Sequence, residues 1–219
     1  MDSIIDRIKQ IPLFHHCSNE ELQQFMAYAP YRLRHKKAGE HIAYTGDKLT
    51  NVILLLKGTV FTKMTHINDS DKNLSVEFFP APSILASGFI FSEDNHLLVD
   101  VICETDCELL FVNHQAFDML LESNKGMMMD FIYLLSNRVN RLCHRTKALA
   151  LHSLKEQVII HLQRTGEPIK NVEKMARVFG VPRPSLSRVL GELRREGIIE
   201  RTIDGLQLKK GAKYSQKSF

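Results

Sequence analysis

The spacing of apolar positions divides the chain into three textures. Residues 3–10 read as a short helix ending before Pro12, and Ser18-x-x-Glu21 is a capping box for a helix with Leu22, Phe25 and Met26 on one face. From about 30 to 112 the pattern changes to short apolar or alternating runs: Arg32–Lys37, His41–Tyr44, Asn51–Leu56, Thr59–Thr65, Leu74–Phe79, Leu97–Cys103 and Glu108–Val112. Turn signals separate them at Ala38-Gly39, Gly46-Asp47, Lys57-Gly58, Asn68–Asp71 and Pro80 with Pro82. Many short strands at close spacing predict an antiparallel roll or barrel.

Beyond residue 112 the period becomes helical. Asn113 is an N-cap for a helix through Leu121. A longer helix follows from about Lys125 to His152, with Met128, Ile132, Leu135, Val139, Leu142, Thr146 and Leu149 spaced alternately four and three apart. Six of these seven positions are apolar, which is the spacing of a coiled-coil seam and predicts pairing with a second copy of the same helix. Packing of the stripe on the roll is the alternative. A second capping box, Ser153-x-x-Glu156, restarts the helix and marks a boundary near 150–153. An apolar-faced helix over 154–164 ends at Gly166, and two further short helical patterns over 173–198 meet at Phe179-Gly180-Val181. A glycine between two amphipathic helices, the second opening at Arg183 and carrying Arg188, Arg194 and Arg195, is what a helix-turn-helix needs to lay one helix in a DNA groove. Asp204-Gly205 between Ile198–Thr202 and Leu206–Lys209 is a hairpin signal, which makes the unit a winged helix.

Composition changes this picture in one respect. The net charge of +4 conceals 15 Lys/Arg against 18 Asp/Glu in residues 1–152 (−3) and 14 against 7 in residues 153–219 (+7). A basic C-terminal third is the electrostatic footprint of a nucleic-acid binder. Four scattered cysteines, Cys17, Cys103, Cys107 and Cys143, predict reduced thiols. No apolar run approaches the roughly 18–20 residues of a membrane span, and the N-terminus lacks a signal-peptide core, so a cytoplasmic protein is expected. No phosphate-cradling glycine loop, paired catalytic carboxylates or metal-spaced His/Cys set is present, which argues against an enzyme using Cys103, Cys107 or His114.

The order of these elements resembles the CRP/FNR family of bacterial transcription regulators across nearly the whole chain. The resemblance is carried by Gly39-Glu40-x5-Gly46-Asp47, Leu54-Leu55-Leu56-Lys57-Gly58 and Cys107-Glu108-Leu109-Leu110. Its strongest part is Gly180-Val181-x-Arg183-x-Ser185-Leu186-Ser187-Arg188-x-Leu190-x-x-Leu193-x-x-x-Gly197-Ile198-Ile199. It implies an α+β chain with an N-terminal cyclic-nucleotide-binding-type β-roll (a jelly roll) over 1–124, a dimerisation helix over 125–152 and a C-terminal winged helix-turn-helix over 153–219. It also implies a homodimer on a pseudo-palindromic operator, with RNA polymerase as a further partner and no membrane. Two-fold protein symmetry matches half-sites about 34 Å apart.

By the same resemblance Arg183, Ser185, Ser187 and Arg188 are the DNA-contacting residues. Arg188 falls where the family reads guanine, whose O6 and N7 suit a fork of donors. Pro184 stands where the family commonly has glutamate. A proline fits a helix start, but it removes one base-reading group, so a different operator is expected. The core of the unit is expected from Leu186, Val189, Leu190 and Leu193.

The sensor half departs from the family's cyclic-AMP binders. Ala86-Ser87 and Leu97-Leu98 stand at the ribose and phosphate positions, no arginine lies between Arg34 and Arg138, and Leu142-Cys143 replaces a Thr-Ser pair. No guanidinium of the roll is thus expected to clamp a cyclic phosphate, and cyclic AMP is not the expected ligand. Only Cys17 lies near the N-terminal position of the family's iron–sulfur branch, so no such cluster is expected. An apolar interior is left, from Phe78, Phe79, Phe89, Ile90, Phe91, Leu97 and Leu98 against Met128 and Leu135. That composition is similar to the branch with haem-dependent nitric-oxide sensors of the HcpR or DNR kind. Haem ligands on that reading are sought among His15, His16, Met64, His66, His96 and His144. A dimeric ligand or haem carrier without DNA binding is the contrasting class, and Arg183, Arg188 and the +7 balance argue against it.

Overall fold

The computed structural model describes residues 4–28, 31–66 and 69–209, with side chains given except at 65–66, 69–76 and 148–149. The described chain divides into two compact units, one of residues 4–64 with 76–140 and one of residues 65–75 with 141–209. The division falls inside the long helix, between Asn140 and Arg141, whereas the sequence places a boundary near 150–153.

The first unit opens with α1 (Ile4–Lys9), a single 3-10 turn at Pro12–Phe14 and α2 (Asn19–Tyr28). The capping box that starts α2 is closed both ways: Glu21 N donates to Ser18 Oγ at 3.1 Å, and Ser18 N donates to Glu21 Oε2 at 2.6 Å. Strands β1 (Tyr31–Lys36), β2 (His41–Ala43), β3 (Asn51–Lys57), β4 (Thr59–His66), β5 (Asp69–Pro80), β6 (Ser83–Leu85), β7 (Asp100–Cys103) and β8 (Cys107–Asn113) follow, with residues 65–66 of β4 and 69–75 of β5 falling in the second unit. They form two four-stranded sheets, ordered β1-β8-β3-β6 and β2-β7-β4-β5, which is the expected roll. β6 was not expected. It is three residues long, too short for a period to register, and it pairs with β3 through Ile53–Leu85 and Leu54–Ile84.

Gly58, between β3 and β4, holds φ +94°, and a Cβ there would lie 2.4 Å from the Asp106 carbonyl oxygen. Only glycine fits that turn. A four-residue helix, α3 (Ser87–Ile90), leaves β6 through Ala86 in the left-handed region at φ 52°. After β8, Asn113 caps α4 (His114–Ser123) by accepting from Gln115 N at 2.8 Å.

α5 runs unbroken over 27 residues, Lys125–Leu151. Asn124 fixes its start: its Oδ1 accepts from Met127 N at 3.0 Å, while its amide donates to His16 O at 3.1 Å and Glu21 Oε1 at 3.0 Å. Met127 and Phe131 are buried in the roll core with Leu54, Leu110 and Phe117, and Leu134 and Leu135 pack against it. Burying an aliphatic or aromatic side chain of this size contributes about 1.5–3 kcal/mol, so the first half of α5 is anchored by its own apolar face.

The second unit contains α6 (Leu154–Thr165), α7 (Val172–Phe179), α8 (Arg183–Arg195), β9 (Ile199–Thr202) and β10 (Gly205–Leu208). Its core is separate, built from Val158, Ile159 and Leu162 of α6, Ala176 and Phe179 of α7, Leu186, Val189, Leu190 and Leu193 of α8, and Ile199. The Ser153–Glu156 capping box is present, and Gly166 ends α6 at φ 66°. Among the described residues no helix is long and apolar enough to cross a membrane.

Candidate nucleic-acid interface and effector pocket

The helix-turn-helix is set by caps at each turn. Asn171 accepts from Lys174 N at 3.0 Å to start α7, and Gly180 ends it at φ 65° with its N–H on Arg177 O at 3.2 Å. Pro182 precedes α8, and its carbonyl takes the first helical N–H groups, from Ser185 at 3.0 Å and Leu186 at 3.3 Å. Pro184 therefore sits where no N–H is needed.

Leu186, Val189, Leu190 and Leu193 face the core, which leaves the opposite side of α8 to solvent. Pro184, Arg188, Gly191 and Arg195 form one exposed row at i, i+4, i+7 and i+11, flanked by exposed Arg183, Ser187 and Arg194. Ser185 is half-buried. Arg183 Nε lies 3.6 Å from Glu173 Oε2 of α7, a pair that sequence spacing does not reveal. Among the described residues Arg188 has no hydrogen bond or ion pair. Gly191 also escaped the sequence reading. A Cβ there would meet nothing, so no packing within the chain requires the bare backbone between Arg188 and Arg195.

β9 and β10 pair antiparallel with Thr202 opposite Gly205, the hairpin expected from Asp204-Gly205. Ile169 bridges Leu206 with hydrogen bonds of 2.8 and 3.1 Å, tying the edge of the wing to the chain before α7. Gly205 is needed for that contact, since a Cβ on it would lie 2.6 Å from Ile169 O.

In the roll, Phe79 is buried while Phe89 and Leu135 are half-buried against the core. Phe91 is half exposed and packs edge-on to Phe131 with centroids 5.6 Å apart. Leu98 does not line the interior: it is 62% exposed, and Leu97 and Val99 on either side of it are the buried residues. Met128 also lies at the surface of the single chain.

One guanidinium beside the roll comes from a helix. Arg138 of α5 donates to Ser87 Oγ and, through its other terminal nitrogen, to Ile84 O at 2.8 Å; its Cζ stands 5.0 Å over the Phe79 ring. The roll strands lack an arginine at that place, but the helix supplies one.

Further along α5, Ile132 is 48% exposed, Val139 60% and Leu142 47%. The side chain of Leu149 lies outside the described residues. Leu135 alone of the described seam leucines packs on the roll core.

For haem, Met64 and His144 are both open to solvent in the single chain, not in the apolar slot a haem needs, and the His66 side chain lies outside the described residues. His15 is exposed, His16 lies 3.4 Å from Asp130, and His96 is held by Asp94. In the single chain all of these described candidates are exposed. Cys17, Cys103 and Cys107 are buried free thiols, and burial pushes the Cys17 thiol up to about 11 and Cys103 to about 12, so neither is a ready thiolate.

A model of the cyclic nucleotide-binding domain matches residues 33–124. The cyclic AMP receptor protein of Thermus thermophilus is 23% identical over 97% of this chain and 99% of its own length. The HTH-type transcriptional regulator ArcR of Staphylococcus epidermidis is 22% identical over 76% of this chain and 77% of its own. A crystal structure of a transcriptional regulator of the CRP/FNR family from Eubacterium rectale superposes with a TM-score of 0.64 at 16% identity, covering 92% of this chain and 95% of that one. Residues 33–124 form a cyclic nucleotide-binding-type domain, and the chain is similar along most of its length to regulators of the CRP/FNR type. The match to the domain model runs from Leu33 within β1 through β8 and all of α4. The α7–α8 pair, joined through Gly180 and Pro182, has the form of a helix-turn-helix.

Proposed function

We propose that this chain is a CRP/FNR-type regulator: a homodimeric, sequence-specific DNA-binding transcriptional regulator, switched by an effector bound in the roll. The observation that carries the reading is the outward face of α8. Arg183, Ser187 and Arg188 stand exposed at the start of a helix whose other side is locked into its own core. A helix so presented enters the major groove, where Arg188 reads guanine O6 and N7 and Arg183 and the serines position the helix on phosphate. Ser185 is the weakest of the four in this role, since it is half-buried.

Dimerisation through Met128, Ile132, Leu135, Val139, Leu142 and Leu149 is supported by the apolar side chains that a single chain leaves uncovered on α5. Contact with RNA polymerase belongs to the same reading. The effector differs from cyclic AMP, because Ala86, Ser87, Leu97 and Leu98 supply no carboxylate or guanidinium, and Arg138, beside Ser87, is a cation placed to meet it. α5 begins in one unit and ends in the other, so a shift of α5 with Arg138 is the route by which effector binding reaches the helix-turn-helix, with the break at His152-Ser153 as its hinge.

The test is a gel shift of the full chain on genomic fragments over a range of salt, with wild type and Arg188→Ala compared. A salt-dependent complex on selected fragments that the variant loses is expected. Equal binding of all fragments, or no change on Arg188→Ala, overturns the reading.

A further inference from the structure

β1 carries Arg32, Arg34 and Lys36 at alternate positions, and alternate positions of a strand share one face. The register fixes which face. Arg32 lies opposite Phe111, Arg34 opposite Leu109 and Lys36 opposite Cys107 on β8, and Ile53 and Leu55 continue the rows on β3. Cys107, in the same row, turns its Sγ to Thr59 O of the second sheet at 3.4 Å, so the three cations lie at the rim of the face turned to that sheet. There they line a cleft of about 570 Å³ together with Phe111, Asn51 and Asn113.

The acids near this rim are engaged elsewhere. Glu108 is on the other face of β8, where Arg7 Nη1 meets it at 2.7 Å and His35 at 3.6 Å. Asp106 holds Lys37 Nζ at 2.8 Å, and Glu40, the one carboxylate lining the cleft, accepts from the backbone N–H of Lys37. Among the described residues Arg32, Arg34 and Lys36 have no ion pair. Charge on an edge strand blocks edge-to-edge pairing. That role needs no concavity, and it leaves unexplained why three cations, against the single carboxylate of Glu40, surround a half-buried aromatic ring.

We infer that this cleft binds a small phosphate-bearing anion of the diphosphate class, at a place distinct from the Arg138–Ser87 region of the roll. The volume is that of a small-molecule site. Residues two apart on a strand stand roughly 7 Å apart, so Arg32 and Arg34 serve two neighbouring anionic groups. Guanidinium forks match phosphate oxygens, and Lys36 adds a point charge. Phe111, directly across from Arg32, gives the carbon part of such a ligand an apolar wall. The site does not depend on DNA reading by α8.

Isothermal titration of the full chain with inorganic pyrophosphate tests it, comparing wild type, the Arg32→Gln/Arg34→Gln double variant and Arg188→Gln. Saturable binding is expected, weakened at least about tenfold in the double variant and unchanged in Arg188→Gln. In the wild type, amide shifts on adding pyrophosphate are expected at 32–36 and 111, which needs no variant to fold. Absence of saturable binding, equal affinity in the double variant, or shifts confined to 183–195 overturns the inference.

Discussion

Arg138 reaches across 51 residues of sequence to donate to the Ser87 hydroxyl. Ser87 is almost wholly buried, and Ala86 before it is held in the left-handed region, so the guanidinium closes a tight turn from within the protein. Replacing it leaves Ser87 Oγ and the Ile84 carbonyl without this donor, and the Phe79 ring without its cation. Arg138→Met is expected to lower stability by about 1–3 kcal/mol, the range for removing a partner of a buried polar group. Arg138→Lys is expected to fall between, since one ammonium cannot reproduce a planar fork over a ring. Thermal melts of the three proteins decide it. A melting temperature unchanged in Arg138→Met shows that the turn holds itself.

The α5 stripe serves two surfaces. Leu135 packs on the roll, whereas Ile132 and Val139, three before it and four after, are open. An aspartate at an open position costs the single chain little but places a charge in the dimer seam. Ile132→Asp and Val139→Asp are each expected to give monomers by sedimentation velocity at concentrations where wild type is a dimer, with far-ultraviolet dichroism unchanged. A dimer that persists in both variants puts the interface elsewhere.

Arg183 and Arg188 are expected to fail differently. Arg188→Ala is expected to lose about 1–3 kcal/mol on the preferred site and to relax the choice of base at one position. Arg183, already shared with Glu173, is expected to act on phosphate: Arg183→Ala weakens all sequences alike and lowers the slope of log affinity against log salt by about one. Binding measured on site variants at several salt concentrations separates the two. Identical profiles for the two variants contradict the assignment.

Gly191 gives a prediction of opposite sign. A glycine inside a helix is less favourable than alanine by about 0.8–1 kcal/mol, and nothing in the chain occupies the space of the missing Cβ. Gly191→Ala is therefore expected to raise the denaturation midpoint of the α6–α8 unit. If the exposed row of α8 is the DNA face, the same variant loses affinity for DNA because a methyl group is added where another surface must approach. A stabler protein with undiminished DNA binding removes Gly191 from the contact face.

Local signals were the legible part of this chain. Both capping boxes close as Ser18–Glu21 and Ser153–Glu156 predict, and Gly166 and Gly180 end their helices in the left-handed region. Asp204-Gly205 turns the wing, and the seven expected strands appear with shifted ends. Each of these depends on residues within a few positions of one another. What escaped depends on tertiary placement. Arg138 meets Ser87 only because α5 lies along the roll, and β6 forms only because β3 offers it an edge. Leu97 and Leu98 look alike as letters, and only the course of the chain into β7 decides which one is buried. The rim of Arg32, Arg34 and Lys36 was visible as a strand, but its charge gains meaning from β8 beside it.

His161 makes the α6–α8 unit sensitive to acid. It lies on α6 with its ring 5.6 Å from Phe179, edge to face, in the wall of the apolar core. Burial holds its pKa below the ordinary 6.5, and nearby Arg164 pushes the same way while Glu167 opposes. Because the folded value is depressed, the imidazole is neutral in both folded and unfolded chains well above pH 6.5, and stability there is complete. As pH falls below 6.5 the unfolded chain takes up a proton that the folded one resists, so stability declines until the folded value is passed. Urea titrations read from α6 and α8 amide signals are expected to show a lower midpoint at about pH 5.5 than at about pH 7.5. His161→Phe keeps the apolar contact with Phe179 and removes the proton site, so its midpoint is expected to change less over the same interval. If the two proteins lose the same stability, His161 is not the group that titrates.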